Sequence, residues 1–286
     1  MSRPQPSVPA TAVPFFKLSG AGNDFIALVE PETVPHSSVI EGWCRRGLSL
    51  GADGLFTLER VSDGVRMVHF NADGGRSDLC LNGSRCAAQL AFHLGWGSGD
   101  HLTLITDAAP LAARQLDPRR VELTLPEGPG APHPQTLTVD GSEYTGWSVD
   151  VGVPHFVLPW DRGPLADAPV AELGPPLRRH ADLGPAGANV HFVRFVDGGR
   201  FEIRSFERGV EAETLACGTG AVATAAAGLA AGRVTIPAVA HTAGGFVLGV
   251  DGTVVGDGGA DGRLGETRLS GDARLVARGE LLDGAL

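Results

Sequence analysis

The sequence has little of what marks a secreted, membrane-spanning or nucleic-acid-binding protein. Four cysteines in 286 residues, with no apolar signal segment at the start, predict reduced thiols and a cytoplasmic location. No apolar run reaches the roughly 18 residues that a membrane-spanning helix needs. Basic residues number 23 against 33 acidic ones, and the net charge of −10 disfavours nucleic acid and anionic membranes as partners.

Glycine and proline are, by contrast, abundant. The chain has 41 glycines and 20 prolines at short intervals, which indicates many turns between short strands. Its length fits one large or two medium-sized domains. Residues 1–12 are rich in proline and serine, and we expect a disordered leader there.

The most informative stretch is residues 206–220, which reaches Cys217-Gly-Thr-Gly and leads into a run of small residues at 221–231. This pattern predicts a loop that delivers Cys217 to the first turn of a helix. There the helix dipole favours the thiolate, and the first backbone N–H groups can bind a carboxylate. Taken alone, the pattern also fits a buried structural thiol, because free cysteine packs as a small hydrophobic residue.

The chain contains this pattern twice. Cys80 is also followed by x-x-Gly and an alanine-rich segment, and Cys217 lies 137 residues after it. The matched stretches are residues 70–83 with 206–220, 50–56 with 187–192, and 22–25 with 152–156. In this alignment Asp53 matches Asn189, and Phe25 matches Phe156. Three similarities in the same order predict a duplicated domain.

Hydrophobic periodicity and turn residues predict the same order of elements in each half. Helices are predicted at 41–48, 80–94, 164–179 and 217–232, and strands at 15–18, 25–29, 55–61, 65–70, 101–106, 121–125, 148–151, 156–158, 190–196, 200–206, 246–250, 267–270 and 273–277. A proline- and glycine-rich crossover is predicted at 127–134 and a flexible loop at 257–262. The sequence therefore predicts an α+β fold. Its first lobe comprises residues 13–128 plus 273–286 and carries Cys80, and its second comprises 129–272 and carries Cys217.

Together these motifs resemble the diaminopimelate epimerases, a family of cofactor-independent amino-acid racemases with two cysteines. The resemblance covers residues 15–281. It rests on Gly-x-Gly-Asn-Asp-Phe at 20–25, Phe-Asn-Ala-Asp-Gly at 70–74, Cys-x-Asn-Gly-x-Arg-Cys at 80–86, Gly-x-Pro-His at 152–155, and the Glu-Arg-Gly and Ala-Cys-Gly-Thr-Gly segments of 207–220. The family fold has two pseudo-symmetric lobes, each with mostly antiparallel strands wrapped around a central helix. Its active site lies in the cleft between them.

The resemblance implies epimerisation of LL-2,6-diaminopimelate to the meso form, for lysine and peptidoglycan precursor synthesis, with neither pyridoxal phosphate nor a metal. It also implies a small amino-acid substrate and a possible homodimer. Inverting an α-carbon needs proton removal on one face and proton delivery on the other, so one thiol from each lobe suits the reaction. The carbanion needs hydrogen-bond donors aimed at the carboxylate, which two helix N-termini supply.

The resemblance also assigns residues to roles. Cys80 and Cys217 are the implied acid–base pair, with His155 and Glu207 as helpers of the two thiols. Arg208 matches the residue that binds the distal carboxylate. The implied substrate-binding residues are Asn23, Asn71, Leu81, Asn82, Gly83, Asn189, Glu207, Arg208, Gly218 and Thr219. Without the resemblance, the three asparagines outside the cysteine loops fit structural turns, and the Glu-Arg pair fits an exposed ion pair.

Three positions depart from the family pattern. Leu81 stands where glycine is usual, and a positive φ there would be strained. Val153 stands where a substrate-binding asparagine is common, with Asp150 as a nearby polar residue. Gly54 stands where some members have glutamine. We expect the epimerase chemistry to survive these changes, and the distal substrate group to be the feature that they affect.

Two other functions stay open at this level. One is racemisation of another amino acid, such as histidine, in the same cleft. The other is a metal-binding or redox-sensing module built from Cys80, Cys86, Cys217 and His155. Cys44 and Cys86 are otherwise predicted to be structural.

Overall fold

The computed structural model describes residues 12–125, 127–256 and 263–282. The predicted leader, apart from residue 12, and the predicted loop at 257–262 lie outside these ranges. The helices are α1 (Ser37–Cys44), α2 (Leu81–His93), α3 (Val170–Arg178) and α4 (Gly218–Ala230). The longest of them have 13 residues, and none of those in the described ranges qualifies as a membrane span.

The strands fall into two series with the same order. The first series is β1 (Val13–Gly20), β2 (Asn23–Val29), β3 (Gly54–Val61), β4 (Gly64–Asn71), β5 (Arg76–Ser77), β6 (His101–Ile105), β7 (Pro110–Asp117) and β8 (Arg120–Thr124). After β9 (His133–Val139), the second series is β10 (Ser142–Asp150), β11 (Pro154–Pro159), β12 (Asn189–Val196), β13 (Arg200–Glu207), β14 (Ala212–Thr214), β15 (Ala238–Thr242), β16 (Val247–Val255) and β17 (Arg263–Asp272). The last strand is β18 (Arg274–Leu281).

The pairing of the strands repeats as well. In the first series β2–β3 and β4–β6 are parallel, and β3–β4, β6–β7 and β7–β8 are antiparallel. In the second series β11–β12 and β13–β15 are parallel, and β12–β13, β15–β16 and β16–β17 are antiparallel. The predicted fold of two pseudo-symmetric lobes, each mostly antiparallel around one helix, is confirmed.

The pairing of β8 with β17, which is antiparallel, joins the lobes into one mixed sheet. β18, which the sequence assigns to the first lobe, returns to pair antiparallel with β1 of that lobe. The lobe boundaries near residues 128 and 272 remain predictions; the pairing shows that the last described strand lies beside the first.

The strands of each lobe surround its central helix. All residues from 81 to 91 in α2 are buried, and so is α4 except near its two ends. A helix buried on every side needs mostly small or apolar residues, which α4 supplies. In α2 the buried polar side chains are hydrogen-bonded: Arg85 donates to Asn82 Oδ1, and Gln89 donates to the Pro118 carbonyl. The central core includes residues of both helices, while smaller clusters lie under α1 and α3 on the outer faces.

The strand registers, together with the face of the sheet on which each side chain lies, define which residues are equivalent in the two lobes. The equivalent pairs are Phe25–Gly54 with His155–Asn189, and Phe56–His69 with His191–Ser205. The sequence alignment, which matched Phe25 with Phe156 and Asp53 with Asn189, is therefore wrong by one residue. A slip of one residue places a side chain on the other face of a sheet, and Phe156 indeed packs in the cluster under α3 while Phe25 packs in the central core.

Several predicted boundaries also need correction. The first helix spans Ser37–Cys44 and not 41–48, and His36 caps it by accepting a hydrogen bond from the Ser38 N–H. The helix predicted at 164–179 is split, because Pro169 favours an extended residue before it: a 3₁₀ turn at Leu165–Asp167 precedes α3. The predicted crossover at 127–134 overlaps β9, which tolerates proline because it pairs on one side only, with β10.

Candidate functional site

Each of the two predicted catalytic cysteines is the N-cap of a central helix. Cys80 precedes α2 with φ −137° and ψ 104°, and Cys217 precedes α4 with φ −114° and ψ 114°. This extended geometry places each sulfur beside the helix N-terminus, where the first backbone N–H groups have no partner inside the helix. Both cysteines therefore lie at the positive end of a helix dipole.

The two helix N-termini meet each other. A Cβ atom built on Gly218 would lie 3.4 Å from the Cβ of Leu81, and 3.5 Å from the Oδ1 of Asn82. The Asn82 Nδ2 donates to the Ala216 carbonyl at 3.3 Å, directly before Cys217. The fold thus brings together the predicted anion-binding turns 81–83 and 218–220 from the two lobes.

Cys217 lies beside a carboxyl group. Burial raises the pKa of the Cys217 thiol well above its usual value, and the neighbouring Glu207 raises it further. Two groups oppose this: Thr219, whose Oγ1 is 3.6 Å from the sulfur, and the Gly220 N–H. Burial likewise raises the pKa of Glu207, whose carboxylate accepts a hydrogen bond from the Thr214 hydroxyl. The thiol and the carboxyl group can therefore share a proton, but two negative charges at this place are disfavoured.

Cys80 has a different set of neighbours. Its sulfur accepts a hydrogen bond from the Gly83 N–H at 3.4 Å. Burial raises its pKa and the Glu207 charge adds to this effect, while the Gly83 N–H and the Arg85 guanidinium lower it. Since Glu207 acts on both thiols, the structure supports placing both on one site.

The effect of Glu207 on both cysteines gives a testable prediction about their reactivity. In Glu207→Gln the negative charge that raises both pKa values is removed, so both thiolates should form at lower pH. We expect the pH midpoint of iodoacetamide alkylation, followed by mass spectrometry of the Cys80 and Cys217 peptides, to move downward for both. A midpoint that stays unchanged or rises would contradict the placement of Glu207.

Two of the predicted asparagines, Asn23 and Asn82, form part of a hydrogen-bonded row within the first lobe, and Asn82 also reaches the second lobe. Arg85, fully buried, donates from Nη2 to Asn82 Oδ1 at 2.6 Å, and Asn82 Nδ2 donates to Asn23 Oδ1 at 2.6 Å. Asn23 Nδ2 in turn donates to Asp53 Oδ2 at 3.1 Å, and Arg46 holds the other oxygen of Asp53 at 2.7 Å. The row fixes which end of each amide faces the site. Arg85 and Asp53 were not predicted as site residues, although both lie in quoted motifs.

The remaining predicted residues come from the second lobe and from β4. Asn189 is buried at the start of β12, and its Oδ1 accepts from the Arg208 N–H at 2.8 Å. Nearby arginines are paired with Glu211 or Glu213, whereas the ion pairs of the described residues do not include Arg208. Asn71 is exposed at the end of β4 and pairs in register with Gly54.

His155 belongs to a buried chain of polar groups that the sequence did not reveal. Its Nδ1 is 2.8 Å from His191 Nε2, and His191 Nδ1 is 2.8 Å from Ser205 Oγ. His191 lies against Gly220 on the first turn of α4, where a built Cβ would be 2.3 Å from the imidazole Cε1. Its position in the Asn-Val-His-Phe segment was the only available signal.

The metal-binding alternative is not supported by the arrangement of its proposed ligands. The Cys86 sulfur is fully buried on α2, where a Cβ on Gly20 would lie 2.8 Å from it. Within residues 12–125, 127–256 and 263–282, no three His, Cys, Asp or Glu side chains are placed to hold a metal ion.

A cavity of about 530 Å³ lies near the far end of α2, and its lining residues include Gln89, Phe92 and His93 but neither Cys80 nor Cys217.

Comparison with known proteins agrees with this geometry. The model of the diaminopimelate epimerase family matches residues 147–254. The diaminopimelate epimerase of Aquifex aeolicus is 35% identical over 252 residues, which cover 83% of this chain and 89% of the relative. That of Gemmatimonas aurantiaca is 37% identical over 288 residues, covering 93% and 98%. The chain belongs to the diaminopimelate epimerase family.

Solved structures show the same fold at low identity. A probable proline racemase from Agrobacterium radiobacter matches with a TM-score of 0.69 and 14% identity, over 95% of this chain and 93% of that one. At this identity the likeness concerns the fold alone. The resemblance that the motifs indicated is thus confirmed by relatives in sequence and by the fold.

The three departures from the diaminopimelate epimerase pattern have structural explanations. Leu81 is not among the non-glycine residues with positive φ in the described chain, which are Ala21, Glu30, Asp140 and Glu211, so the expected strain is absent. Its side chain is 5% exposed and packs in the central core between the two helix N-termini.

The other two departures remove polar side chains from this family member. A Cβ on Gly54 would be 2.6 Å from the Phe70 carbonyl and 3.2 Å from His69 Nε2, so a larger side chain needs the backbone of β4 at Phe70 to shift. Val153 lies in the bend before β11, and its carbonyl accepts from the Val151 N–H at 3.1 Å. The exposed Asp150 accepts from the Gly152 N–H at 2.8 Å, so its carboxylate serves the turn.

Leu81 should therefore contribute to stability as well as to the shape of the site. We expect Leu81→Ala to lower the free energy of unfolding by about 2–5 kcal/mol, because it leaves a cavity in the core. Leu215→Ala is a matched control, since Leu215 is 53% exposed, and should change stability by less than about 0.5 kcal/mol. Urea denaturation measures both; equal effects in the two variants would disprove the packing role.

Proposed function

We propose that this protein epimerises LL-2,6-diaminopimelate to the meso form, without pyridoxal phosphate, through Cys80 and Cys217. The observation that carries the proposal is that two cysteine-capped helix N-termini, one from each lobe, meet beside a single carboxyl group, Glu207. Membership of the diaminopimelate epimerase family supports the same reaction. The product is a precursor of lysine and peptidoglycan.

The two thiols act on opposite faces of the substrate α-carbon. One is a thiolate and takes the α-proton; the other is a thiol and delivers its proton to the opposite face. The sum of protons on the two sulfurs is unchanged, but their roles are exchanged, so the site is then ready for the reverse reaction. Glu207 holds the Cys217 proton in the state in which Cys217 is the acid.

The substrate carboxylate binds at the junction of the helices. The turns 81–83 and 218–220 bring their backbone N–H groups and the positive ends of two helix dipoles close to this junction. As the α-proton leaves, charge develops on the carboxylate oxygens, and donors already aimed at them stabilise the transition state more than the ground state. The amide row of Asn23 and Asn82 keeps these turns in place.

The distal end of diaminopimelate is a second amino-acid group. Arg208, which is held by its backbone N–H to Asn189 and has no ion-pair partner among the described residues, supplies a positive charge for the distal carboxylate. A substrate without a distal carboxylate leaves this guanidinium unpaired. The positive charge of Arg208 therefore favours diaminopimelate over histidine and other amino acids as the substrate.

The test is exchange of the α-hydrogen with deuterium oxide over a panel of amino acids, followed by chiral separation. We expect LL- and meso-diaminopimelate to exchange and interconvert, and histidine, lysine and glutamate to remain unlabelled. Exchange confined to amino acids without a distal carboxylate would overturn the substrate assignment. Exchange of none of them would overturn the enzymatic function.

The resemblance to the family further supports a homodimer in the cytoplasm. Sedimentation velocity of the full chain measures the oligomeric state, and a single species with the mass of one 29.6 kDa chain would disprove the homodimer.

A further inference from the structure

Three buried polar side chains form a continuous chain that includes His155, the residue that the family resemblance assigns as a helper of a thiol. His155, His191 and Ser205 are at most 2% exposed, and the two hydrogen bonds that connect them are both 2.8 Å long. One end of the chain is His155 Nε2, which is buried and has no partner within the described residues. The other end is the Ser205 hydroxyl on β13, a strand that ends at Glu207.

The fold itself does not require polar side chains at the positions of His155 and His191. The equivalent residues of the first lobe, by strand register, are Phe25, Phe56 and His69. There the two phenylalanine rings pack 6.1 Å apart, and neither ring nitrogen of His69 has a hydrogen-bond partner among the described residues. Burying polar groups is unfavourable unless they are fully hydrogen-bonded, so a chain present in one lobe only indicates a role beyond packing.

Donor accounting determines the direction of the chain. The only partner that the described residues offer the Ser205 hydroxyl is His191 Nδ1, so the hydroxyl is satisfied if it donates to this nitrogen. His191 is then protonated on Nε2 and donates to His155 Nδ1. His155 must in turn carry its proton on Nε2, the atom at the open end of the chain.

We propose that His191 and Ser205 are positioning residues that hold His155 as the neutral Nε2–H tautomer, the form in which the thiol helper implied by the family resemblance can donate a hydrogen bond to a thiolate. This inference deepens the proposed function and rests on it. The site would then have two unlike helpers: Glu207, which accepts a proton or hydrogen bond at Cys217, and His155, which donates one without carrying a charge. Such a difference suits a reaction in which one sulfur is a thiol while the other is a thiolate.

The surroundings keep the chain neutral. Burial lowers the pKa of His191 to about 3, and burial, His191 and the nearby Arg208 charge together lower that of His155 well below its usual value. A neutral imidazole next to Arg208 adds no repulsion to the cationic end of the substrate site. It remains a hydrogen-bond donor through the whole pH range in which the thiols work.

The direct test is the tautomer of each imidazole in the full-length protein, measured by long-range ¹H–¹⁵N correlation NMR on histidine-labelled material at neutral pH. We expect Nε2–H for both His155 and His191. An Nδ1–H tautomer at either residue overturns the proposal, whether or not the protein is an epimerase. The measurement needs no substrate, so it is independent of the proposed function.

Kinetics of variants gives the second test. Ser205→Ala removes the terminal donor, and we expect the His155 tautomer to become mixed and kcat for diaminopimelate to fall about 3- to 10-fold, with KM nearly unchanged. His191→Phe copies Phe56 of the first lobe and should lower kcat further. Ser205→Thr keeps the hydroxyl and should restore both the tautomer and most of the rate.

The matched control is Thr224→Val, which removes another fully buried hydroxyl of the same lobe, one without a partner in the described chain. It should leave kcat and the His155 tautomer unchanged. Wild-type kcat in Ser205→Ala with an unaltered tautomer would refute the positioning role while leaving the epimerase function intact. If the wild-type protein itself shows no epimerase activity, that result counts against the proposed function and not against the positioning role.

Discussion

Cys217→Ser is expected to lose about 10³-fold or more in kcat while keeping its fold. A positioned acid or base contributes about 10²–10⁴-fold, and a serine hydroxyl cannot become a base at neutral pH in its place. The substitution changes one atom at the N-cap, and serine is itself a good N-cap, so α4 should start as before. Chiral analysis of the product and far-UV circular dichroism measure the two effects.

The variant should also separate the two faces of the reaction. Cys80 remains able to remove a proton from the stereoisomer that presents its α-hydrogen to that side, so slow deuterium exchange without inversion is expected for one isomer only. Cys44→Ala is the control: Cys44 is buried in the cluster under α1, where burial raises its pKa to about 11, and its loss should leave turnover within about twofold of wild type. Full epimerisation by Cys217→Ser would disprove the two-thiol mechanism.

Arg208→Gln is expected to reduce kcat/KM for diaminopimelate by about 30- to 700-fold. A hydrogen-bonded charge pair with the distal carboxylate is worth about 2–4 kcal/mol in a desolvated cleft, and each 1.4 kcal/mol is a factor of ten. Arg208→Lys should recover only part of the loss, because an ammonium group cannot form the bidentate contact. Initial rates at varied substrate concentration measure both variants.

The control for this change is another arginine of the same lobe. Arg194 lies on β12 and pairs with Glu202 at 2.6 Å on the surface, with 51% of its side chain exposed. Arg194→Gln should keep kcat/KM within about twofold. If Arg208→Gln behaves like Arg194→Gln, the distal carboxylate binds elsewhere.

The local features of the site were readable from the sequence because they depend on neighbouring residues. A cysteine followed by small residues and a long alanine-rich segment predicts an N-cap and a buried helix, and both α2 and α4 start one residue after their cysteine. The duplication was also visible, since two copies of one pattern remain similar in order.

The residue-by-residue alignment of the two lobes was not readable from the sequence. By residue type, Phe25 matches Phe156. Side chains of a strand alternate between the two faces of the sheet, however, so equivalent residues must lie on the same face, and these two do not. Only strand pairing reveals that Phe25 is equivalent to His155. The polar chain from His155 to Ser205 follows from that pairing, and residue spacing gives no signal for it.

The sequence alone determined the family, the two-lobed fold and the two cysteine-capped helices, because these follow from motifs and from local helix chemistry. The tertiary structure decided which groups share a site. Asn82 reaches across 134 residues of sequence to the carbonyl of Ala216, and Glu207 raises the pKa of both thiols. Such contacts between distant segments depend on how the sheet closes around both helices. The order of residues along the chain does not reveal which distant residues come close together.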